Sequence, residues 1–175
     1  SAASDVYKRQ KLKSLESIIT NIKPTVICLQ ETKNRRQGKI KCENIKGYTV
    51  FEMVREKSGG GGLATLVKSD LRPVWVSQGD DFTEILVIQI HIESLQVRVI
   101  NCYGPQSCDA NERKITFRNR LHHEVNDALE NQCEVLIQMD ANSHLGSGII
   151  KGDPNVQNMN GKFCADFLKN NSSLA

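Results

Sequence analysis

The chain has 175 residues, of which 39% are hydrophobic and 25% charged. This composition is typical of one globular domain and excludes disordered, collagen-like and coiled-coil chains. No apolar stretch approaches the ~18 residues that cross a bilayer, so we expect no membrane partner. The net charge of +3 is too small to indicate nucleic-acid binding by itself. Six cysteines without a Cys-x-x-Cys pair favour buried, reduced thiols over a zinc site or a disulfide framework.

Both ends of the sequence look foreign to a natural domain. Residues 1–10 begin without Met and resemble translated adapter sequence, so we predict a non-native leader there. The chain stops at Ala175, where the pattern leads us to expect a further strand. We therefore expect a fragment, with a partial domain over residues 11–175.

The first part of the chain predicts one helix and then a series of strands. Apolar residues three and four apart predict an amphipathic helix over residues 11–23, ended by Pro24. Apolar or alternating runs predict strands at residues 25–29, 48–54, 63–67, 72–76, 84–92 and 95–102. The short Glu93-Ser94 connection predicts that the last two strands form a hairpin.

The second part predicts helices around one more strand. Asp109 and Glu112 match a capping box and predict the start of a long helix, whose buried stripe would contain Ile115, Leu121, Val125 and Leu129. A strand over residues 134–139, a loop over 146–160 and a helix over 162–170 with Phe163, Phe167 and Leu168 follow. Hairpins combined with strand–helix–strand units predict mixed sheets covered by helices, in the α/β or α+β class.

Three of the predicted strands end in polar residues, namely Gln30 and Glu31, Tyr103, and Asp140 and Asn142. Ligands of such proteins gather beyond strand ends, so these side chains could converge on one site. Carboxylates hold Mg²⁺, and amide and phenol groups donate hydrogen bonds to phosphate oxygens. Taken singly, each residue has a structural explanation, such as a solvated Glu31 or an Asx turn at Asp140. The joint pattern favours a phosphate site.

The order of these motifs carries a resemblance to a known family. Gln30-Glu31-Thr32, Asn101-Cys102-Tyr103-Gly104-Pro105 and Asp140-Ala141-Asn142 together resemble the endonuclease/exonuclease/phosphatase superfamily. The glycine run at residues 60–62 and Asn160-Gly161 before the last helix are similar to the endonuclease domain of non-LTR (LINE-type) retrotransposon proteins. The resemblance covers residue 11 to the C-terminus. It implies a four-layer sandwich of two mixed β-sheets flanked by helices, truncated here.

The resemblance also implies an activity, that of a metal-dependent phosphodiester hydrolase that nicks DNA with Mg²⁺ or Mn²⁺. Glu31 would bind the metal with support from Gln30, and Tyr103 would donate a hydrogen bond to the scissile phosphate. Asp140 would orient or deprotonate the attacking water, and Asn142 would donate to a phosphate oxygen. The implied partners are DNA and a reverse transcriptase in the same polyprotein, and the implied location is intracellular and nuclear.

Two motifs of the resembled family have no counterpart in this sequence: an Asn motif on the opening strand and a closing Ser-Asp-His triplet. Ser143-His144 adjoins Asn142 and cannot replace the triplet, because family members carry a His near that loop in addition. We interpret His91 on a strand, and His122 and His123 on a helix, as structural or solvent-facing. We therefore expect residues 1–175 alone to be poorly soluble and not to nick DNA.

Two further patterns leave alternatives open. A basic loop is either solvated or contacts DNA phosphates, and it contains Lys33, Arg35, Arg36, Lys39 and Lys41. Residues 62–69 match a phosphate-binding P-loop except that Val67 replaces its second Gly, and their apolar residues predict a strand instead. The alternatives to a DNA endonuclease are a phosphatase or sphingomyelinase-like enzyme of the same superfamily, and a catalytically dead remnant that binds nucleic acid.

Overall fold

The computed structural model describes residues 13–33, 45–55, 61–144 and 158–170. The predicted leader, most of the predicted loop over 146–160, and Arg35, Arg36, Lys39 and Lys41 lie outside these ranges. In chain order the described elements are α1 (residues 13–22), β1 (Val26–Gln30), β2 (Tyr48–Met53), β3 (Leu63–Lys68), a short 3-10 turn (Ser69–Leu71), β4 (Val74–Gln78), β5 (Ile85–Ile92), β6 (Leu95–Tyr103), α2 (Asn111–Glu130), β7 (Glu134–Asp140) and α3 (Met159–Asn170).

These strands form two sheets that pack face to face. The first has the order β1–β3–β2 with antiparallel pairing, and the second has the order β4–β5–β6–β7, in which β6 and β7 are parallel. Leu63 and Val67 of β3 pack against Leu86 and Ile88 of β5 in the core between the sheets. Helices cover both outer faces. The predicted sandwich of two sheets flanked by helices is confirmed.

Strand β5 shows why the central strands read as continuous apolar runs. Leu86, Ile88 and Ile90 belong to the core between the sheets, whereas Ile85 and Val87 belong to the cluster under α2 and α3. Successive side chains of a strand point to opposite faces, so a strand that is covered on both faces is apolar at every position. The predicted hairpin is also confirmed, since Ile92 pairs with Leu95 across residues 93–94.

Helix α2 differs from the sequence prediction in two respects. It begins at Asn111, and Ala110 occupies the cap position without a side-chain hydrogen bond, so the predicted capping box is wrong. Asp109 instead accepts a hydrogen bond from the Gln106 backbone N–H at 2.6 Å and pairs with Arg113 at 3.1 Å. Its carboxylate is therefore already committed to the preceding turn.

The predicted buried stripe of α2 is half right, since Leu121 and Val125 are buried as expected. Phe117, Leu121, Val125 and Ala128 are buried, whereas two residues of the predicted stripe, Ile115 and Leu129, are 55% and 45% exposed. With ~3.6 residues per turn, a residue two positions from Phe117 points to the opposite side of the helix. The stripe was predicted from large aliphatic residues, and it omitted Phe117 and the small Ala128, which face the sheet.

Residues 63–68 form a central strand rather than a P-loop. Strand β3 pairs with β1 on one side and with β2 on the other, so that Thr65 lies opposite both Cys28 and Phe51. Lys68 ends the strand, and the short 3-10 turn follows it. A strand that is hydrogen-bonded on both sides cannot wrap its backbone amides around a phosphate, so the nucleotide-binding alternative is rejected.

The described cysteines are free thiols in different environments. Cys102, Cys133 and Cys164 are buried, while Cys108 is exposed. Burial raises the pKa of Cys28 to about 11. None of the helices in the described ranges is both long enough and apolar enough to cross a bilayer.

Candidate active site

The ends of β1 and β6 bring Glu31 and Tyr103 into direct contact across the two sheets. The Tyr103 hydroxyl donates a hydrogen bond to Glu31 Oε1 at 2.7 Å. Glu31 follows β1 with a φ of +52°, a left-handed conformation that turns the chain out of the strand. Burial raises the pKa of Tyr103, and the neighbouring Glu31 carboxylate adds to this effect. The hydroxyl therefore remains a protonated donor at neutral pH.

Parallel pairing of β6 with β7 places Asp140 beside Tyr103. The Gly104 backbone N–H donates to the Asp140 carbonyl at 2.7 Å, and the Asn142 side-chain amide donates to the Gly104 carbonyl at 2.8 Å. Asp140 Oδ1 accepts the Asn142 backbone N–H at 3.1 Å, so the predicted Asx turn is present. Glu31, Tyr103, Asp140 and Asn142 thus lie at one edge of the sandwich.

Gln30 contacts a buried amide that the sequence analysis quoted without assigning it a role. Gln30 Nε2 donates to Asn101 Oδ1 at 2.8 Å. Asn101 is fully buried, and its Nδ2 lies 3.0 Å from the Ala64 carbonyl, 3.1 Å from Thr65 Oγ1 and 3.3 Å from the Leu29 carbonyl. One side chain of β6 therefore fixes both β1 and β3 of the opposite sheet, two residues from Tyr103. An inward-facing Asn in an apolar strand was the available signal.

Glu84 was not predicted as a functional residue, and it supports the backbone next to Glu31 through Gly62. Glu84 is fully buried, and its Oε1 accepts the Gly62 backbone N–H at 2.7 Å. Its Oε2 lies 3.7 Å from Arg55 Nη1 and 3.4 Å from Arg113 Nη2. Burial raises the pKa of Glu84, while Gly62 and the two arginines lower it. A Glu before a strand gave no signal for this environment, since such residues are usually solvated.

The glycine turn at residues 61–62 connects this carboxylate to the chain after Glu31. The Thr32 backbone N–H donates to the Gly62 carbonyl at 3.1 Å. Gly62 has a φ of +88°, and a Cβ there would lie 2.7 Å from Thr32 Oγ1. Only glycine combines this conformation with so close an approach. The glycine turn at residues 61–62 therefore positions the segment after β1.

Glu31 and Asp140 are carboxylates, the ligand type that a hard divalent cation prefers. Lys33 Nζ lies 3.6 Å from Glu31 Oε2, and both side chains are partly exposed. Mg²⁺ is commonly held by one or two carboxylates together with water and substrate phosphate oxygens. Glu31 and the exposed Asp140 provide this donor type at one edge, although the described residues contain no group of three or more His, Cys, Asp or Glu suited to a metal ion.

His91 and His122 lie where a structural or solvent-facing interpretation places them. His91 is exposed on β5. His122 of α2 packs against Phe163 and Phe167 of α3, with ring centroids 5.8 Å and 5.2 Å apart. Of the basic loop, only Lys33 belongs to the described residues.

Two packed sheets with helical cover and polar residues at the strand ends define the class of layered α/β proteins that place a site at the sheet edge. The profile of the Endonuclease/Exonuclease/phosphatase family matches residues 3–146. The chain therefore belongs to this family, whose members are nucleases and phosphoesterases. No curated protein sequence matches the chain.

Three solved structures share the fold. The Xenopus laevis APE2 catalytic domain is 21% identical with a TM-score of 0.68, and the match covers 87% of this chain and 62% of that chain. The AP endonuclease LMAP from Leishmania major is 15% identical with a TM-score of 0.66, covering 92% and 61%. The endonuclease domain of TRAS1, a telomere-specific non-LTR retrotransposon, is 16% identical with a TM-score of 0.56, covering 89% and 62%. This chain thus spans less than two thirds of each of them.

Proposed function

We propose that this protein is a metal-dependent phosphodiester hydrolase that cleaves DNA as the endonuclease of a retroelement. The observation that carries the proposal is the 2.7 Å hydrogen bond from Tyr103 to Glu31, at a sheet edge that also holds Asp140 and Asn142. Carboxylates, a phenol and an amide side by side suit a phosphodiester. Its hydrolysis needs an oriented water and donors to the phosphate oxygens at the same time.

Asp140 is the residue proposed to orient or deprotonate the attacking water. Its side chain is exposed, and the Asn142 backbone N–H fixes its orientation through Oδ1 at 3.1 Å. The side-chain amide of Asn142 has two N–H groups, and the bond to the Gly104 carbonyl uses one of them. The Asn142 side chain is also hydrogen-bonded to the Tyr103 hydroxyl, so its second N–H, the proposed donor to a phosphate oxygen, would exchange this contact for the substrate.

Glu31 is the proposed ligand of Mg²⁺ or Mn²⁺, which when bound would neutralise charge that develops on the phosphate. Tyr103 holds Oε1 of this carboxylate, and the ammonium group of Lys33 lies beside Oε2, where a metal ion would take its place. Gln30 would support the metal ligand indirectly. Its amide is hydrogen-bonded to the buried Asn101, and this bond fixes the end of β1 before Glu31. Tyr103 is also the proposed donor to the scissile phosphate, and because its hydroxyl has one proton, this donation would replace the bond to Glu31 once a metal ion occupies the carboxylate.

The choice of DNA and of a retroelement rests on similarity and on charge. The TRAS1 endonuclease domain has this fold, and the glycine run and Asn160-Gly161 resemble that group of proteins. The basic loop from Lys33 to Lys41 begins two residues after Glu31, where it could contact DNA phosphates. A nuclear location and a linked reverse transcriptase belong to the same proposal. The inactivity of residues 1–175 alone stays a prediction.

A substrate comparison tests the proposal. The complete natural protein is incubated with supercoiled plasmid, p-nitrophenyl phosphate and sphingomyelin vesicles, each with Mg²⁺, Mn²⁺ or EDTA. We expect nicked plasmid with either metal and none with EDTA. Hydrolysis of the monoester or of sphingomyelin without nicking would assign the protein to another branch of the family. Plasmid binding without any hydrolysis would indicate a dead remnant.

A further inference from the structure

We infer that Asn160, in the first turn of α3, is a positioning residue that holds Asn142 and the loop after Tyr103 in place. The inference rests on the proposed function, because it assigns a role within the same site. It makes α3 a working part of that site in addition to a cover for the sheet.

Asn160 joins the two loops that follow the strands ending in Tyr103 and Asp140. Its side-chain Nδ2 lies 2.6 Å from the Pro105 carbonyl and 3.3 Å from the Asn142 carbonyl, and it donates to both. Pro105 belongs to the loop after β6, and Asn142 to the loop after β7. Asn160 is only 6% exposed, so these bonds are shielded from water. A buried amide that bridges two loops fixes the distance between them.

The first turn of α3 is built around this approach. Asn158 Oδ1 accepts the Gly161 backbone N–H at 2.7 Å, as an N-cap does, and also the His144 backbone N–H at 3.2 Å. This cap explains why the helix begins at Met159, three residues before the predicted start. Asn158 Nδ2 is a second donor to the Asn142 carbonyl, at 3.4 Å.

Gly161 permits the contact between α3 and the loop after β7. A Cβ at Gly161 would overlap the His144 carbonyl, and backbone atoms cannot yield as a flexible side chain can. In the sequence, Asn160-Gly161 carries only a family resemblance. In the structure, Asn160 provides the donor and Gly161 provides the space for the two segments to meet.

Helix α3 is a rigid support for this contact. The ring centroids of Phe163 and Phe167 are 5.9 Å apart, and both rings pack against His122 of α2. The guanidinium carbon of Arg118 lies 4.7 Å from the centroid of the Phe163 ring. Cys164 is buried on the same helix. Functional side chains that are supported by packed helices hold their geometry better than those on loops alone.

The backbone of Asn142 is in the left-handed region, with a φ of +46°. Asn adopts this region more readily than other non-glycine residues, so the hydrogen bonds of its peptide group select this conformation from the alternatives. Its carbonyl accepts from Asn158 and Asn160, and its amide donates to Gly104. Loss of the Asn160 donor should let this peptide rotate. The amide proposed to reach the phosphate would then be displaced, and a shift of ~1 Å can cost about 100-fold in rate.

Asn160→Asp tests the role with little change of shape, because it replaces the donor by an acceptor that faces two carbonyl oxygens. Asn119→Asp makes the same change at an exposed position of α2. In the complete natural protein we expect Asn160→Asp to lower kcat for plasmid nicking about 10- to 100-fold with KM changed less than about threefold. Asn119→Asp should match the wild type. In an Asn142→Ala background, the further loss from Asn160→Asp should shrink below about threefold, since residues that act as a unit are not additive.

A second measurement does not depend on activity. Hydrogen exchange at the backbone amides of residues 141–144 should accelerate in Asn160→Asp, while exchange in β5 stays unchanged. If the wild type hydrolyses no substrate, the proposed function fails, and the exchange data alone decide whether Asn160 positions the loop. Unchanged exchange at residues 141–144 would overturn the inference. So would an equal loss of kcat in the wild-type and Asn142→Ala backgrounds, or exchange accelerated throughout the protein.

Discussion

Asn101 is the side chain whose removal should weaken the contact between the two sheets most. It is fully buried and accepts one hydrogen bond from Gln30, and its two N–H groups are shared among three oxygen atoms of β1 and β3. Asn101→Ala leaves these groups buried without partners. At ~1 kcal/mol for each of about three bonds, with a further penalty for the unsatisfied groups, the free energy of unfolding should fall by about 3 to 5 kcal/mol.

Urea denaturation followed by circular dichroism measures this loss, provided that the slope of the transition is unchanged. Gln30→Ala removes one of the bonds from a half-buried position, so it should cost only about 1 to 2 kcal/mol. The exposed Asn126→Ala on α2 is the matched control, and it should change stability by less than about 0.5 kcal/mol. A loss below about 1 kcal/mol for Asn101→Ala would refute the assignment of this amide as the tie between the sheets.

Three further predictions concern the glycine turn, Tyr103 and the basic loop. Gly62→Ala should lower the free energy of unfolding by about 1 to 3 kcal/mol more than Gly47→Ala in the same denaturation assay. Both glycines have a φ near +88°, but only a Cβ at Gly62 meets a neighbour within 4 Å; equal losses would contradict this. The pKa of Tyr103 is raised by burial, so its contribution to stability is complete below about pH 10, where unfolded tyrosine ionises, and is lost as pH rises through the folded value. Above pH 10, the Tm of Tyr103→Phe should therefore fall less steeply with pH than the Tm of the wild type. Parallel curves of Tm against pH would contradict the prediction. Replacement of the basic residues from Lys33 to Lys41 should flatten the dependence of log K on log salt by about 0.9 for each lost phosphate contact, equally for all DNA sequences. Unchanged binding isotherms would indicate a solvated loop.

The strands were predictable because each left one of two sequence patterns. A strand that is covered on one face alternates apolar and polar residues, and a strand that is covered on both faces is a nearly continuous apolar run. Strands β5, β6 and β7 end within a residue of the predicted positions. The convergence of Glu31, Tyr103 and Asp140 was expected from one rule, that ligands gather beyond strand ends. The parallel β6–β7 pair and the cross-sheet contact provide the geometry behind that rule.

The supporting residues were not predictable in the same way, because their environment is tertiary. Asn101, Glu84 and Asn160 are polar residues whose burial depends on segments far away along the chain. Asn101 bonds to residues 71 and 72 positions earlier, and Asn160 to one 55 positions earlier. The two wrongly predicted members of the α2 stripe, Ile115 and Leu129, have a related cause. Size and hydrophobicity favoured Ile115, whereas the packing against the sheet selected Phe117.

The most direct test of the proposed active site is a comparison of two equivalent substitutions in the plasmid nicking assay. Asp140→Asn changes the carboxylate beside Tyr103, and Asp166→Asn makes the same change at an exposed position of α3. In the complete natural protein with Mg²⁺, Asp140→Asn should reduce nicking about 10²- to 10⁴-fold, as expected for a lost general base. Asp166→Asn should retain the wild-type rate. Equal activity of both variants at wild-type level would contradict the assignment of Asp140 and of the site built around it.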